Sequence, residues 1–446
     1  MNKFIFNSFY QYLIDSYPAL QEKHDADAPA WPEALLEHKQ QAFALFKSQG
    51  FPSTKQEDWK YTNLAIPLQQ IFHFPAQVTN ADLKPALASA TIKDADAYRI
   101  VLLNGKWQRS LSDPLPDGVH FLDGADALHH YYAEEYFASL ADPTGISLVA
   151  LNTAFIPAFN LLHIQKSTDR PLHMVHIYTS QEAAFLPERL LLVVEEGVRI
   201  QWIDSFHQLT SAPVFINYVA EQFLKEQVSM DVFLLNQLLP SAVFFHHSET
   251  YLHSQSTYHH LNFSFPGAGF IRNNINARLQ GSSSEANLWG LYVGGDQQLV
   301  DNHTIVDHQV PNCNSNEWYK GILQDKSTGV FNGKIFVEKG AQKTNAFQKN
   351  NTILLSREAT VHAKPQLEIF ADDVKCSHGS TVGQMNEEAL FYLRTRGLSE
   401  LTARQLLIEA FAYDILSKVQ HQAVANHVMQ LLRRHLHVES TMLTNV

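Results

Sequence analysis

Val198-Arg199-Ile200-Gln201-Trp202-Ile203 alternates apolar with polar side chains, the period of a strand with one face buried. Similar short stretches follow, starting near Val228, Ala242, Thr257, Ile271, Glu285, Gln298, Asn316, Gly329, Thr344, Thr360 and Val374. The starts recur roughly every 13–17 residues, with turn-forming Gly, Asn and Asp between them. No helical pattern interrupts the series, so alternating βαβ units do not fit. Evenly spaced short strands belong to a sandwich or barrel, or to a β-helix solenoid. About fourteen in a row are too many for one small sandwich. Asn262, Asn274, Asn276 and Asn287, polar residues inside apolar strands, suit stacked coils in which like side chains ladder. The expected fold is mainly β, with a parallel β-helix core over residues 151–385.

The flanks read differently. Pro32, taken at a first-turn position, opens a helical stretch through Leu35, Leu36, Ala42, Phe43 and Phe46, and Gly50-Phe51-Pro52 closes it. Residues 65–150 show few clean periodicities, so 1–150 is expected to be a helical and mixed N-terminal region. At the other end Asn386 can cap a helix with Gly397 at its C′ position, and Ser399 a second helix. The second places Ala403, Leu406, Leu407, Ala410, Phe411 and Ile415 on one stripe. A third, from about Gln422, carries Val424, Val428, Leu431 and Leu432 before Arg433-Arg434. Residues 386–446 either cap the end of the β-helix, which needs protection from edge pairing, or dock a partner.

Composition narrows the function. The 446 residues carry 33 basic against 45 acidic side chains, a formal charge of −12, which disfavours a phosphate-neutralising nucleic-acid surface. No run of 18 apolar residues occurs, so no membrane span is expected. Met1-Asn2-Lys3-Phe4-Ile5-Phe6-Asn7 breaks off before a secretory apolar stretch develops, which points to a cytoplasmic location. Gly340-Ala341-Gln342-Lys343-Thr344 and Gly267-Ala268-Gly269-Phe270-Ile271-Arg272 each lack a glycine of the phosphate-binding motifs they resemble. No Gly-x-Ser-x-Gly elbow is present. Asp372-Asp373 leaves a carbohydrate-active β-helix enzyme as a minor alternative.

Metal chemistry rests on few residues. Cys313 and Cys376 are too few for a disulfide framework or a four-cysteine site. Histidine is abundant, with 23 copies, yet the pairs His129-His130, His246-His247 and His259-His260 would point to opposite faces of a strand. Cys376-Ser377-His378 is different. On a strand, residues i and i+2 share a face, with Cβ atoms roughly 7 Å apart. A thiolate and an imidazole there suit iron or zinc, and metal binding would remove the thiol proton despite an ordinary pKa near about 8.5. The same pair can also be purely structural. Read as a metal site, it is half a ligand set, with the remainder expected from a second chain.

This segment also carries a family resemblance. Lys364-Pro365-Gln366-Leu367-Glu368-Ile369-Phe370-Ala371-Asp372-Asp373-Val374-Lys375-Cys376-Ser377-His378-Gly379 continues through Thr381, Gly383, Leu390-Phe391-Tyr392-Leu393-Arg394 and Arg396-Gly397. Phe331-Asn332-Gly333-Lys334-Ile335, Ala341-Gln342-Lys343-Thr344, Gln348-Lys349-Asn350 and Glu57-Asp58-Trp59-Lys60-Tyr61-Thr62 agree with it. Together they resemble the SufB/SufD family of the SUF iron–sulfur cluster assembly system, and its SufD branch over the longer, cysteine-richer SufB branch. The resemblance implies a right-handed parallel β-helix that acts as a non-catalytic scaffold. It implies pairing with SufB through the β-helices and docking of the ATPase SufC on the C-terminal helices, with no nucleotide bound by this chain. A transient iron–sulfur cluster is implied at the SufB interface, with His378 and Cys376 as ligands from this side. Phe391, Tyr392, Arg394, Arg396 and Phe411 are the expected partner-binding residues. The isolated chain pairing with itself is the alternative assembly.

Overall fold

The computed structural model describes residues 8–22, 30–75 and 83–442. The reading of Met1–Asn7 lies outside these. Helices α1 (Ser8–Glu22) and α2 (Glu33–Gln49) come first, then α3 (Lys84–Ala90). Pro32 stands one position outside α2, as its cap residue, and not in its first turn. Strands β1 (Tyr98–Leu103), β2 (Lys106–Trp107) and β3 (Val119–Leu122) follow, then α4 (Gly124–Leu128), α5 (Tyr131–Tyr136) and α6 (Ser147–Phe155).

Sixteen further strands then wind without a helix between them. The first eight are β4 (Asn160–Ile164), β5 (Leu172–Tyr178), β6 (Ala184–Val194), β7 (Arg199–Gln208), β8 (Val214–Leu224), β9 (Ser229–Gln237), β10 (Ala242–Leu252) and β11 (Thr257–Ser264). The rest are β12 (Phe270–Leu279), β13 (Glu285–Gly294), β14 (Leu299–His308), β15 (Asn314–Leu323), β16 (Thr328–Val337), β17 (Thr344–Leu354), β18 (Thr360–Ile369) and β19 (Val374–Gln384). Of these sixteen, the even-numbered strands stack in parallel as one sheet and the odd-numbered strands as the other, eight coils of a parallel β-solenoid. The expected starts fall within two residues of the observed ones from β9 onward.

The solenoid begins at Asn160, inside the expected 151–385, whereas the alternating series is visible only from Val198. In β4, β5 and β6 nearly every residue is buried, because the core lies on one face and packed elements on the other. Such strands show no alternation. The asparagine ladder is also mostly absent. Asn287 stacks on Asn316, but Asn262 lies between Leu234 and Gly290, Asn274 between His247 and His303, and Asn276 between Glu249 and Ile305.

The core runs along the inside, where Leu192, Trp202, Phe206, Tyr218, Phe244, Ile275, Tyr292, Tyr319 and Phe331 meet from both sheets. Outside, α1, α2 and α6 lay Phe9, Leu13, Phe46, Leu151 and Phe155 against Phe185, Phe215, Val243, Phe245 and Phe270 of the even sheet. Three C-terminal helices close the chain: α7 (Glu387–Thr395), α8 (Glu400–Leu416) and α9 (Gln422–Met442). Ile408, Ala412 and Ile415 of α8, with Val424, Val428, Leu431 and Leu432 of α9, cover Ile203, Phe233, Leu235, Leu261, Phe263 and Leu291 of the odd sheet. Of the expected α8 stripe, Ala403 and Ile415 are buried, but Leu406 and Ala410 point to solvent. The wall contact follows the neighbouring i, i+4, i+7 row through Ile408, Ala412 and Ile415. These helices therefore lie along the side of the solenoid. At its N-terminal end, β1 pairs with β5 and β3 with β4, so that end is closed by strands.

Candidate functional site at the open end

Among the described residues β18 pairs only with β16, and β19 only with β17, so the last coil shows an unpaired edge on each sheet. Cys376 and His378 lie on β19 opposite Ala346 and Gln348. Both belong to the inward set. Cys376 is half-buried against Leu367, Val374, Ile335, Val337 and Ala346, whereas His378 is exposed at the mouth. The sharing of one face by the two residues is as the i, i+2 spacing implies. Burial pushes the Cys376 thiol up from its ordinary value, opposed by a hydrogen bond with the Ala346 backbone, so the site itself does not make a thiolate.

Behind His378 stands a polar column that sequence reasoning missed. Register places Glu317 beside Gln348 and Gln348 beside His378. Gln348 Nε2 donates to Glu317 Oε2 at 3.1 Å, and Thr304 Oγ1 donates to the same oxygen. Burial pushes the Glu317 carboxyl up to about 7, against the lowering effect of those two donors. The only sequence signal was parity, which places Gln348 and Glu317 at inward positions of their strands.

Other sequence candidates disperse. Cys313 is buried in the core, with its Sγ 3.4 Å from Ser284 Oγ, and does not meet Cys376. His247 and His259 face outward onto Glu249 (3.1 Å) and Asp231 (2.9 Å), while His246 and His260 are buried with their sheets' inward sets. His130 caps α5 by accepting from the Tyr132 N–H. Lys343 sits in a turn with φ 59°, its N–H bonded to the Asp373 carbonyl, and the Asp373 N–H is bonded to Gln342. Asp372-Asp373 thus belongs to a stack of coil turns. Among the described residues no three His, Cys, Asp or Glu side chains are grouped to hold a metal ion.

Exposed apolar side chains surround the open end: Phe347, Ile369, Phe370 and Val382, with Phe370 57% exposed. The Glu57–Thr62 stretch reaches the same end from outside. Trp59 is buried beneath the Arg272 guanidinium at 3.9 Å, Arg272 pairs with Asp301 at 2.8 Å, and Thr62 donates to Asp301. Further along, Tyr61 stacks on His362 at 4.1 Å and Glu57 pairs with Lys364, both partners on β18.

A second exposed surface lies on α7. Asn386 accepts from the Ala389 N–H at 2.9 Å, and Gly397 has φ 91°, the left-handed conformation expected just past the helix. Leu390 is buried, while Phe391 is 69% and Tyr392 56% exposed. Arg394 pairs with Glu400 at 3.4 Å, and the Arg396 guanidinium lies 5.2 Å from the Tyr392 ring. Phe411 is placed elsewhere. Its half-buried ring faces the solenoid wall with Lys320 4.2 Å above it, and its carbonyl accepts from the same lysine.

The fold is thus a parallel β-solenoid whose last coil is unpaired among the described residues and carries an inward Cys and His at its mouth. Comparison with known proteins gives the family. The chain belongs to the SufBD family: the SufBD core domain of SUF-system FeS cluster assembly matches residues 176–411, and the SufBD N-terminal region matches 11–172. The chain is 29% identical over 441 residues to the iron–sulfur cluster assembly protein SufD of Escherichia coli, covering 95% of this chain and 98% of that one. It is 28% identical over 426 residues to an iron–sulfur cluster assembly SufBD family protein of Synechocystis, covering 92% and 93%. With SufD of Bacillus subtilis the identity is 23% over 430 residues, covering 93% and 96%. The resemblance read from the sequence is thus borne out, and the chain is a SUF-system iron–sulfur cluster assembly family protein.

Proposed function

We propose that this chain is a non-catalytic scaffold subunit of the SUF complex, which offers half a ligand set at its open end to a cluster being built against SufB. The observation that carries this reading is the bare last coil, with Cys376 and His378 at the mouth and apolar side chains around them. An unprotected sheet edge is a liability unless a partner covers it. Exposed apolar residues on the same coil give that partner something to bury. The cluster is the cargo of this site. His378 would offer a neutral ring nitrogen, and Cys376 would lose its proton only as iron arrives, because burial keeps the free thiol protonated.

The ATPase SufC, which would carry all nucleotide chemistry, docks in this reading on the 386–446 region through α7. Phe391 and Tyr392 supply apolar surface, and Arg394 and Arg396 supply charge for acidic partners. Phe411 supports the wall contact of α8 and contributes less.

Replacing His378 by Ala tests the site. The isolated variant should fold, and its complex with SufB and SufC should lack the visible absorbance of a cluster. Full cluster absorbance in that complex would remove His378 from the ligand set. Cys376→Ala should have a milder effect, since sulfur ligands are also expected from SufB. Docking is tested by Arg394→Glu with Arg396→Glu in a pull-down of SufC. Deleting 399–446 is a poorer test, because it strips the wall beneath α8 and α9 whatever those helices bind.

A further inference from the structure

If His378 is the cluster ligand proposed above, the polar column behind it has a use. Partners in neighbouring strands lie about 4.8 Å apart with side chains on one face, so Gln348 stands between Glu317 and His378. Glu317 Oε2 accepts from both Thr304 and the Gln348 amide nitrogen. Any proton on this carboxyl therefore belongs on the other oxygen, Oε1, which has no partner. The contact fixes which end of the Gln348 amide faces Glu317.

The opposite end, Gln348 Oε1, is buried and likewise has no hydrogen-bond partner among the described residues. The amide has little room to swing away. A side chain at Gly333, across the interior on β16, would come within 2.2 Å of Gln348 Nε2. A buried carbonyl oxygen left without a donor costs stability, and native proteins seldom leave one so. The side chain in register on the other side is His378, which is exposed.

We propose that Gln348 is a positioning residue for His378: its buried amide oxygen accepts the N–H of the ring and leaves the other ring nitrogen bare for metal. A neutral imidazole has one donor and one acceptor nitrogen, and the hydrogen bond made by the first decides which nitrogen is offered. Glu317 acts one step further back, by holding the amide the right way round.

The test uses the full chain labelled with 15N in its histidines, at pH 8. The His378 signal among the 23 is the one missing from His378→Ala. In the unchanged chain one ring tautomer should dominate by about tenfold, the bias that one hydrogen bond supplies. Gln348→Met, close in volume but without an acceptor, should return His378 to the tautomer ratio of a solvated ring. Gln348→Glu, which keeps an acceptor, should retain the bias. An unchanged tautomer ratio in Gln348→Met would overturn the proposal. Loss of the bias in folded Gln348→Glu would do the same, and this arm decides the matter should the Met variant not fold. The ligand reading fails separately: the His378→Ala complex would build its cluster while the tautomer result stood. If that complex lacks a cluster and the tautomer ignores Gln348, only the positioning role falls.

Discussion

Two buried polar networks inside the solenoid, one towards its closed end and one towards its open end, are completed to different degrees. In the closed half, His176 places Nδ1 3.0 Å from Glu188 and Nε2 2.8 Å from Asp204. Tyr178 donates to the second Glu188 oxygen and Tyr218 to the second Asp204 oxygen. Burial alone would lower His176, but the two carboxylates outweigh it and raise the imidazole to about 10. In the open half, the Thr304–Glu317–Gln348 column ends with Glu317 Oε1 and Gln348 Oε1 lacking partners, one strand short of His378. Complete pairing rigidifies a core. The column beside His378 is left incomplete among the described residues.

Breaking the closed half should have the largest effect. His176→Leu leaves Glu188 and Asp204 as neighbouring buried acids without their shared cation. The expected loss is about 3–5 kcal/mol of stability at pH 7, measured on the first transition of urea unfolding. A loss under about 1 kcal/mol would show that the two networks are not different in kind.

The open half should respond to pH in a direction set by Glu317. Its value in the folded chain, about 7, lies above the ordinary 4.5. The folded chain therefore holds a proton that the unfolded chain releases between those values. This contribution to stability is full below about pH 4.5 and is lost as pH rises through 7, at about 1.4 kcal/mol per pH unit and about 3 kcal/mol in all. Glu317→Gln, neutral throughout, should remove that slope and be the more stable protein at pH 8. Parallel stability–pH curves for the two proteins between pH 4.5 and 8 would contradict it.

The smallest effect on stability should come from the mouth. Phe370→Asp and Val382→Asp change exposed side chains, so each should move the unfolding midpoint of the isolated chain by less than ~0.5 kcal/mol equivalent. Co-purification with SufB should nonetheless fall sharply. Retained co-purification in the double variant would move the pairing surface away from this end.

Much of this was legible in the chain. Alternation and turn residues place the strands from β9 onward, and the Asn386, Gly397 and Ser399 signals mark their helix ends, because each depends on neighbours a few residues away. The Cys376–His378 pairing on one face follows from strand periodicity alone. The first three solenoid strands were hidden because covering helices and sheet core make both of their faces apolar. Leu406 and Ala410 were assigned to the wrong side of α8 because several apolar rows run along that helix, and only the wall selects one.

The sequence by itself determined the coiled β architecture, the helical flanks, the family and the one inward Cys–His pair, since all of these are written in local period and motif. Tertiary structure alone decided that α8 and α9 lie on the side wall, that the last coil has no further strand beside it among the described residues, and that Gln348 and Glu317 line up behind His378. Those facts depend on register between strands some 30 residues apart. Register is set by the lengths of the intervening coils and by what packs against them, and no local pattern encodes it.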